Sequence, residues 1–352
     1  MAGKRQHYLP RFLLKGFSSK IEGGKSFVWF FRKGVDPKEI SIRDVALSKS
    51  FYGAPGPGTL DETITEAEQK FGPVIDRLRK DLRVTTKDLP TVIDLVVNIV
   101  IRNRYIRKTL TSAAGDLFEM AGRNFSDPQK MAYFLIDAFK QDRSDFREQL
   151  RSSIRGKHSI NSPIDVELII KWAEENIEDL IQASSGPFSD AIVKGISEFL
   201  TNIEKQGAQS HKEGLEKMFK ENETSIRHRR YSELHWVVKR YNSNEFIFGD
   251  VGVIEMEIGS RKFFPPFYNK EEDFVVLFPI AHDTLLFGSN IKQPNMPNPY
   301  VLNSTSVEMS TDFFVSSVNK NRERLYSKKI GIRSSWWDDE INEIEKDTFG
   351  NF

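Results

Sequence analysis

The chain has no cysteine among its 352 residues. Disulfides, thiolate metal sites and a cysteine nucleophile are therefore excluded. It lacks a surplus of either charge: 51 Lys plus Arg stand against 50 Asp plus Glu, a net charge of +1. That balance excludes a strongly basic whole-molecule nucleic-acid binder, though not a local basic patch. It also lacks a long apolar run. The best stretch, Val92 to Ile101, is broken by Asp94 and Asn98, and spanning a bilayer takes ~18 apolar residues. Met1 to Phe17 is basic and only patchily apolar, without the cleavage site of a signal peptide. A cytoplasmic protein with no membrane partner is the expectation. There is no HExxH, no EF-hand loop, no Walker motif, no Gly-x-Ser-x-Gly, no dinucleotide fingerprint and no internal repeat. What the chain does have is phenylalanine, 27 in all, within a composition that is 39% hydrophobic and 29% charged. That is the make-up of a folded protein with an aromatic interior.

The pattern along the chain predicts an α+β fold: a short N-terminal β element, a helical middle region, and a C-terminal mainly antiparallel sheet with a late helix. Ser26–Arg32 is aromatic and β-prone after the turn signal Gly23-Gly24, and Ile40–Leu47 offers a second short strand. Gly53–Gly58 is a loop. Thr59 and Glu62 fit a capping box for a helix from Leu60 to Leu82, with a kink expected at Gly72-Pro73. Further helices are expected from Leu89 to about Met120, over Ser126–Ile154, from Ser162-Pro163 onward, and from Phe188 to about Ile203 after an interruption at Pro187. Gln206–Glu223 reads as a surface helix or linker. Beyond it, Glu233–Tyr241 and Glu245–Phe248 are expected to form a hairpin about Asn242-Ser243-Asn244. Val251–Ile258, Phe274–Ile280 and Thr284–Phe287 are further strands, and Ser304–Arg324 reads as a helix from the spacing of Val307, Phe314 and Val318. We expect one unit over residues 1–352, with sub-regions 1–58, 59–225, 226–333 and an acidic tail, 334–352.

Three segments carry a likeness to one family. QHYLPRFLLKGF, Gln6 to Phe17, resembles the opening signature QHYxPxFxLxxF of the family of unknown function DUF4238, matching at Gln6, His7, Tyr8, Pro10, Phe12, Leu14 and Phe17. RNRYIR, Arg102 to Arg107, is similar to its Arg-x-Pro-x-x-Arg segment, with Arg104 where proline is usual. FIFGDVGV, Phe246 to Val253, is similar to its phenylalanine-rich strand followed by Ser-Asp-x-Pro. Asp250 fits, and Gly249 and Gly252 replace Ser and Pro. The resemblance implies a shared fold and a shared site, and no activity.

Candidate site residues follow from chemistry. His7, between Gln6 and Tyr8, has a side chain that exchanges protons near neutral pH; its plainer role is to anchor the N-terminus through a hydrogen bond. Arg102 falls on the apolar helix stripe Val92, Leu95, Val96, Ile99 and Ile106. If that stripe is buried, the guanidinium needs a carboxylate or an anionic ligand. Asp250, beyond the Phe246–Phe248 strand, is the expected partner, either as a structural ion pair or as half of an anion site. Arg104, Arg107 and Lys108 share a helix face, solvated or in contact with phosphate. Asp250, Glu255 and Glu257 hold Mg²⁺ only if a hairpin gathers them; otherwise Glu255 and Glu257 mark a polar outer strand face, and no cofactor is expected.

Basic clusters at Arg227–Arg230 and Lys320–Arg333, followed by the acidic tail Asp338–Asp347, describe either a nucleic-acid groove with a guard or a surface of pairing charges. Trp336 and Trp337 suit docking, onto this chain or onto a protein partner. The leading expectation is an enzyme-like protein acting on a phosphate-bearing substrate, nucleotide or nucleic acid, in the manner of a nuclease. In it His7 and Asp250 are catalytic, and Gln6, Tyr8, Arg102 and Arg107 bind substrate. The alternative is a non-catalytic binding or regulatory protein whose His/Arg/Asp network is structural.

Overall fold

In the computed structural model the aromatic N-terminal run becomes strand for the reason its composition implies. The structure describes residues 5–102, 104–141, 143–144, 147–149, 151–152, 163–220, 226–242, 244–266, 273–333 and 338–349. The chain opens with strand β1 (Arg5–His7), a single helical turn α1 (Arg11–Leu14), and strands β2 (Lys20–Glu22), β3 (Lys25–Arg32), β4 (Val35–Ser41) and β5 (Leu47–Lys49). Gly23 and Gly24 have φ of 56° and 72°. Both central positions of the β2–β3 turn are thus left-handed, the geometry whose twist matches a two-residue hairpin. The second expected strand is displaced: β4 ends at Ser41, and a short 3-10 turn over Ile42–Asp44 precedes β5.

The helical middle comprises α2 (Leu60–Asp81), α3 (Leu89–Arg102), α4 (Arg104–Phe125), α5 (Pro128–Gln141), α6 (Pro163–Glu175), α7 (Ile177–Lys220) and α8 (Ile226–Ser232). Pro73 lies within α2 and Pro187 within α7, so neither proline ends its helix. At the start of α2 the expected capping box does not form: Thr59 is the N-cap but makes no side-chain cap bond. Glu62 accepts from the Gly58 N–H at 2.6 Å, while the Thr59 hydroxyl donates to the Gly56 carbonyl at 2.6 Å.

The last third holds β6 (His235–Arg240), β7 (Phe248–Gly249), β8 (Ile254–Glu257), β9 (Phe263–Phe264), β10 (Phe274–Ala281), β11 (Thr284–Ser289), α9 (Pro299–Met309), β12 (Phe313–Ser316), α10 (Asn321–Ser327) and α11 (Asp338–Phe349). One antiparallel sheet has the order β6-β11-β10-β8-β9. A second runs β2-β3-β12-β7 with β4 also on β3, and β1 pairs with β5. All eight residues of β10 are buried, as expected of a continuous apolar strand covered on both faces.

The structure corrects two expectations. Residues 245–248 do not fold back on β6. Strand β6 pairs with β11, His235 opposite Ser289, and β7 pairs with β12. Phe246, Ile247 and Phe248 are all buried, which suits an interior position, whereas β6 alternates buried Trp236 and Val238 with exposed Val237 and Lys239. Ser304–Arg324 is not one helix. Its middle becomes β12, because Phe313 and Phe314 stack on Phe30 and Phe31 of β3, with centroids 4.9 and 4.6 Å apart. Tertiary stacking overrides the helical spacing.

The chain divides into two compact units. The first is residues 1–110 with 207–335, and the second is 111–206 with 336–352. The first unit holds all three sheets. In the second, Phe125 meets Phe134 and Phe349 edge-on at 5.1 and 5.4 Å. Asn124 donates to Glu345 at 2.7 Å, so the acidic tail is in part a packed helix, α11. Trp336 and Trp337 lie outside the described residues. Among the described residues no helix is long and apolar enough to cross a membrane.

Candidate functional site

Pairing of β1 with β5 sets Gln6 opposite Ser48 and His7 opposite Leu47. Alternation turns Gln6 inward, where its carboxamide is consumed by backbone. Its oxygen accepts from Tyr52 N at 2.7 Å, and its nitrogen donates to the Gly53 carbonyl at 3.2 Å. Gln6 therefore clamps the Tyr52–Gly53 loop. His7 is half-buried, and its Nδ1 is buried without a partner among the described residues. Burial lowers its pKa, the Arg11 cation lowers it further, and a hydrogen bond with the Val45 backbone acts the other way. The ring is thus neutral near pH 7. The Tyr8 ring packs on Phe51 at 5.4 Å, and its hydroxyl titrates well above the usual tyrosine range because it is buried and lies near Asp250.

Arg102 ends α3, and its guanidinium is fully buried. The partner is not Asp250. It is Glu68 of α2, in a close ion pair. Arg102 also donates to Asn98 Oδ1 at 3.1 Å, to the His7 carbonyl at 3.4 Å, and through Nε to the Tyr8 carbonyl at 3.5 Å. The Tyr52 hydroxyl reaches the same His7 carbonyl at 3.2 Å. Burial opposes the charge, but Tyr52 and Glu68 outweigh it and hold the pKa above its ordinary value. The family-like N-terminus and this arginine do meet, through backbone carbonyls rather than through the histidine ring. A helical stripe announces a buried cation but not its counter-charge, since Glu68 stands in a separate, mostly polar helix.

Asp250 is also buried, and among the described residues the hydrogen bonds it accepts come from Thr311 to Phe313, the turn into β12. Oδ1 accepts from Thr311 N at 2.8 Å; Oδ2 accepts from Asp312 N at 2.7 Å, Thr311 Oγ1 at 3.1 Å and Phe313 N at 3.3 Å. Burial pushes its pKa up to about 6 although these donors favour the charged form. Gly249, just before it, cannot carry a side chain without collision: a Cβ would lie 2.8 Å from Ser306 Oγ. Asp250 thus ties the β7 end to the turn before β12 and positions neither Arg102 nor His7 by a direct bond. Asp312, in that turn, pairs with Arg104 at 3.3 Å and Lys108 at 3.5 Å, so this part of the basic helix face is partly neutralised.

Arg107 turns elsewhere. It lies over the Phe51 ring at 3.8 Å, donates to the Phe51 carbonyl at 2.9 Å, and donates through Nε to His211 Nδ1 at 3.2 Å. His211 Nε2 meets the Ile101 carbonyl at 2.7 Å. Since a guanidinium only donates, Nδ1 is the acceptor and Nε2 carries the proton. Burial, with the Arg107 charge behind it, takes the His211 pKa down to about 4 despite the Ile101 carbonyl. The sequence offers no sign of His211, which lies in a polar stretch of α7. Nor does it mark Arg79, whose guanidinium donates to the Ile280, Phe12 and Leu13 carbonyls at 2.9, 3.0 and 3.1 Å.

Glu255 and Glu257 are not an outer polar face. All four residues of β8 are buried. Glu255 accepts from Tyr231 at 2.8 Å and pairs with Arg230 at 3.0 Å, and Glu257 accepts from Ser260. Among the described residues no group of three His, Asp or Glu side chains stands where it would hold a metal ion.

One open feature lies by the N-terminal segment. A cleft of about 340 Å³ is lined by Arg11 and Lys15 from the first helical turns, Lys25 of β3 and Arg43, with Ser26 and Ser41 between them. All four cations are exposed. Among the described residues no carboxylate lines the cleft.

In comparison with known proteins, the model of the family "Protein of unknown function (DUF4238)" matches residues 5–326. No curated protein and no solved structure matches the chain.

Proposed function

We propose that this chain, which belongs to the DUF4238 family, is a non-catalytic binding protein for a phosphate-bearing ligand, taken up at the cleft of Arg11, Lys15, Lys25 and Arg43. The cleft itself carries the reading: four cations of one sign converge on an open space with no lining carboxylate among the described residues. Self-repulsion makes such a group costly unless an anion neutralises it. Arginine forks and lysine ammonium groups match phosphate oxygens, and the Ser26 and Ser41 hydroxyls add uncharged donors. The Arg102–Glu68 pair and the hydrogen-bonded Asp250 belong to the framework and do not line this cleft. Either would have to break buried hydrogen bonds to reach a substrate.

Binding of a labelled single-stranded oligonucleotide and of inorganic phosphate tests the proposal. We expect binding to weaken at least tenfold in Lys25→Glu/Arg43→Glu, and its salt slope to fall by about 0.7 for each phosphate no longer neutralised. If inorganic phosphate binds but the oligonucleotide does not, the ligand is a small phosphate ester. If neither binds, the proposal fails.

A second reading, enzyme-like and nuclease-like, rests on one observation. His7 Nδ1 has no partner among the described residues, and Arg11, which lines the cleft, lies close enough to depress the His7 pKa. A neutral histidine beside a bound phosphate has the protonation state of a general base. His7→Ala distinguishes the readings: oligonucleotide cleavage by the wild type that the variant loses, with melting unchanged, supports catalysis.

A further inference from the structure

A second cleft, also of about 340 Å³, opens between α2, α3 and the end of α7, and its chemistry differs from that of the basic one. Its apolar walls are Phe71, Met218 and Phe219. Its ionic side chains are Glu66, Lys70, Asp94 and His228, with Asp94 and His228 paired at 3.3 Å. These charges nearly cancel, so the cleft does not select an anion.

Asn98 lines this cleft and is only 2% exposed. The orientation of its carboxamide is dictated by Arg102. A guanidinium has no acceptor, so the amide oxygen must face it, as it does at 3.1 Å. The amide nitrogen is left as a donor with no partner among the described residues. A buried donor without an acceptor is costly to keep. Here the Arg102–Glu68 pair holds it in one orientation. Glu66, exposed at the mouth, supplies an acceptor.

We infer that this cleft is a binding site for an uncharged planar heterocycle with a ring carbonyl beside a ring N–H, a lactam of the pyrimidine or purine kind. The carbonyl accepts from Asn98 Nδ2, the ring N–H donates to Glu66, and the ring face lies against the Phe71 and Phe219 walls. Aromatic walls with one donor and one acceptor are the means by which proteins hold single bases. Arg102 is then a positioning residue, acting through Asn98.

The test uses the full chain and nucleosides without phosphate, so its result does not depend on the basic cleft. Uridine and inosine are titrated calorimetrically, with 3-methyluridine, which lacks the ring N–H, as the control. We expect uridine to bind and 3-methyluridine to bind at least tenfold more weakly. Asn98→Asp keeps an oxygen toward Arg102 while replacing the free donor by an acceptor, and should weaken uridine at least tenfold. Ala67→Trp, at the cleft wall, fills the space with Asn98, Arg102 and Glu68 themselves unchanged and should abolish binding; it keeps the test decisive if Asn98→Asp folds poorly. Binding that is indifferent to Ala67→Trp, equal affinity for 3-methyluridine, or no heat with any nucleoside at millimolar concentration would each overturn the inference.

Discussion

Protonation of His211 is the perturbation whose cost the structure defines best. In the fold its Nε2–H donates to the Ile101 carbonyl at 2.7 Å and its Nδ1 accepts from Arg107 Nε at 3.2 Å. A second proton would set an N–H against the guanidinium N–H in a buried place. The folded pKa is accordingly about 4, against 6.5 for a free imidazole. A base depressed in the folded state binds its proton more readily when unfolded, so stability is full above about pH 6.5 and is lost as pH falls toward 4. The gap between about 4 and 6.5 is worth roughly 3 kcal/mol. Asp250 works in the opposite sense. Its folded pKa of about 6, raised by burial from 3.8, means that its contribution is largest below pH 3.8 and declines as pH rises through 6, by roughly 3 kcal/mol. The two effects mask each other in the wild-type profile. The assay must therefore be a difference: urea denaturation of wild type and His211→Gln at closely spaced pH values between about 4 and 7.5. Glutamine retains a donor for the Ile101 carbonyl and does not titrate. Wild type should lose roughly 3 kcal/mol relative to the variant over that range. Curves that stay parallel to within a few tenths of a kcal/mol would show that His211 is charged or solvated in the fold, and the assigned tautomer would be wrong.

The same difference method applied to Asp250→Asn should expose the opposite slope: the wild type gains on the variant as pH falls through 6, checked by the same denaturation series. Arg102→Met leaves Glu68, Asn98 and two carbonyls facing an apolar chain, and should cost about 3–5 kcal/mol in urea unfolding. Gly249→Ala forces a Cβ against Ser306 and should cost about 1–3 kcal/mol, read as a lowered melting temperature. Arg79→Met removes donors from three carbonyls, and should destabilise the protein by about 2–3 kcal/mol while leaving ligand binding by the folded fraction unchanged.

Much of the fold is legible in local pattern. The Gly23-Gly24 turn, the aromatic strand after it, the helical middle and strands β6, β8, β10 and β11 follow from spacing and turn chemistry acting over a few residues. The Ser304–Arg324 segment reads as helix because Val307, Phe314 and Val318 keep helical spacing, and only stacking on β3 makes the phenylalanines a strand. The site shows the same division. That Arg102 is buried is readable from its stripe. That its counter-charge is Glu68, and that Asp250 instead closes a turn, is not, because ion pairing depends on which helices pack together.

The periodicities, the excluded chemistries, the family-like N-terminus and a cation set into the apolar stripe of α3 are written in the residues themselves. Those depend on residue identity and on spacings within one element. Which groups remain available follows only from the packing in three dimensions. Gln6, Arg102, Arg107 and Asp250 spend their hydrogen bonds on the framework, while four exposed cations and the Asn98 amide are left facing open clefts. A side chain's free valences are what remains after its neighbours in space have taken their share. For Arg102 those neighbours include Glu68 and Tyr8, 34 and 94 positions away along the chain.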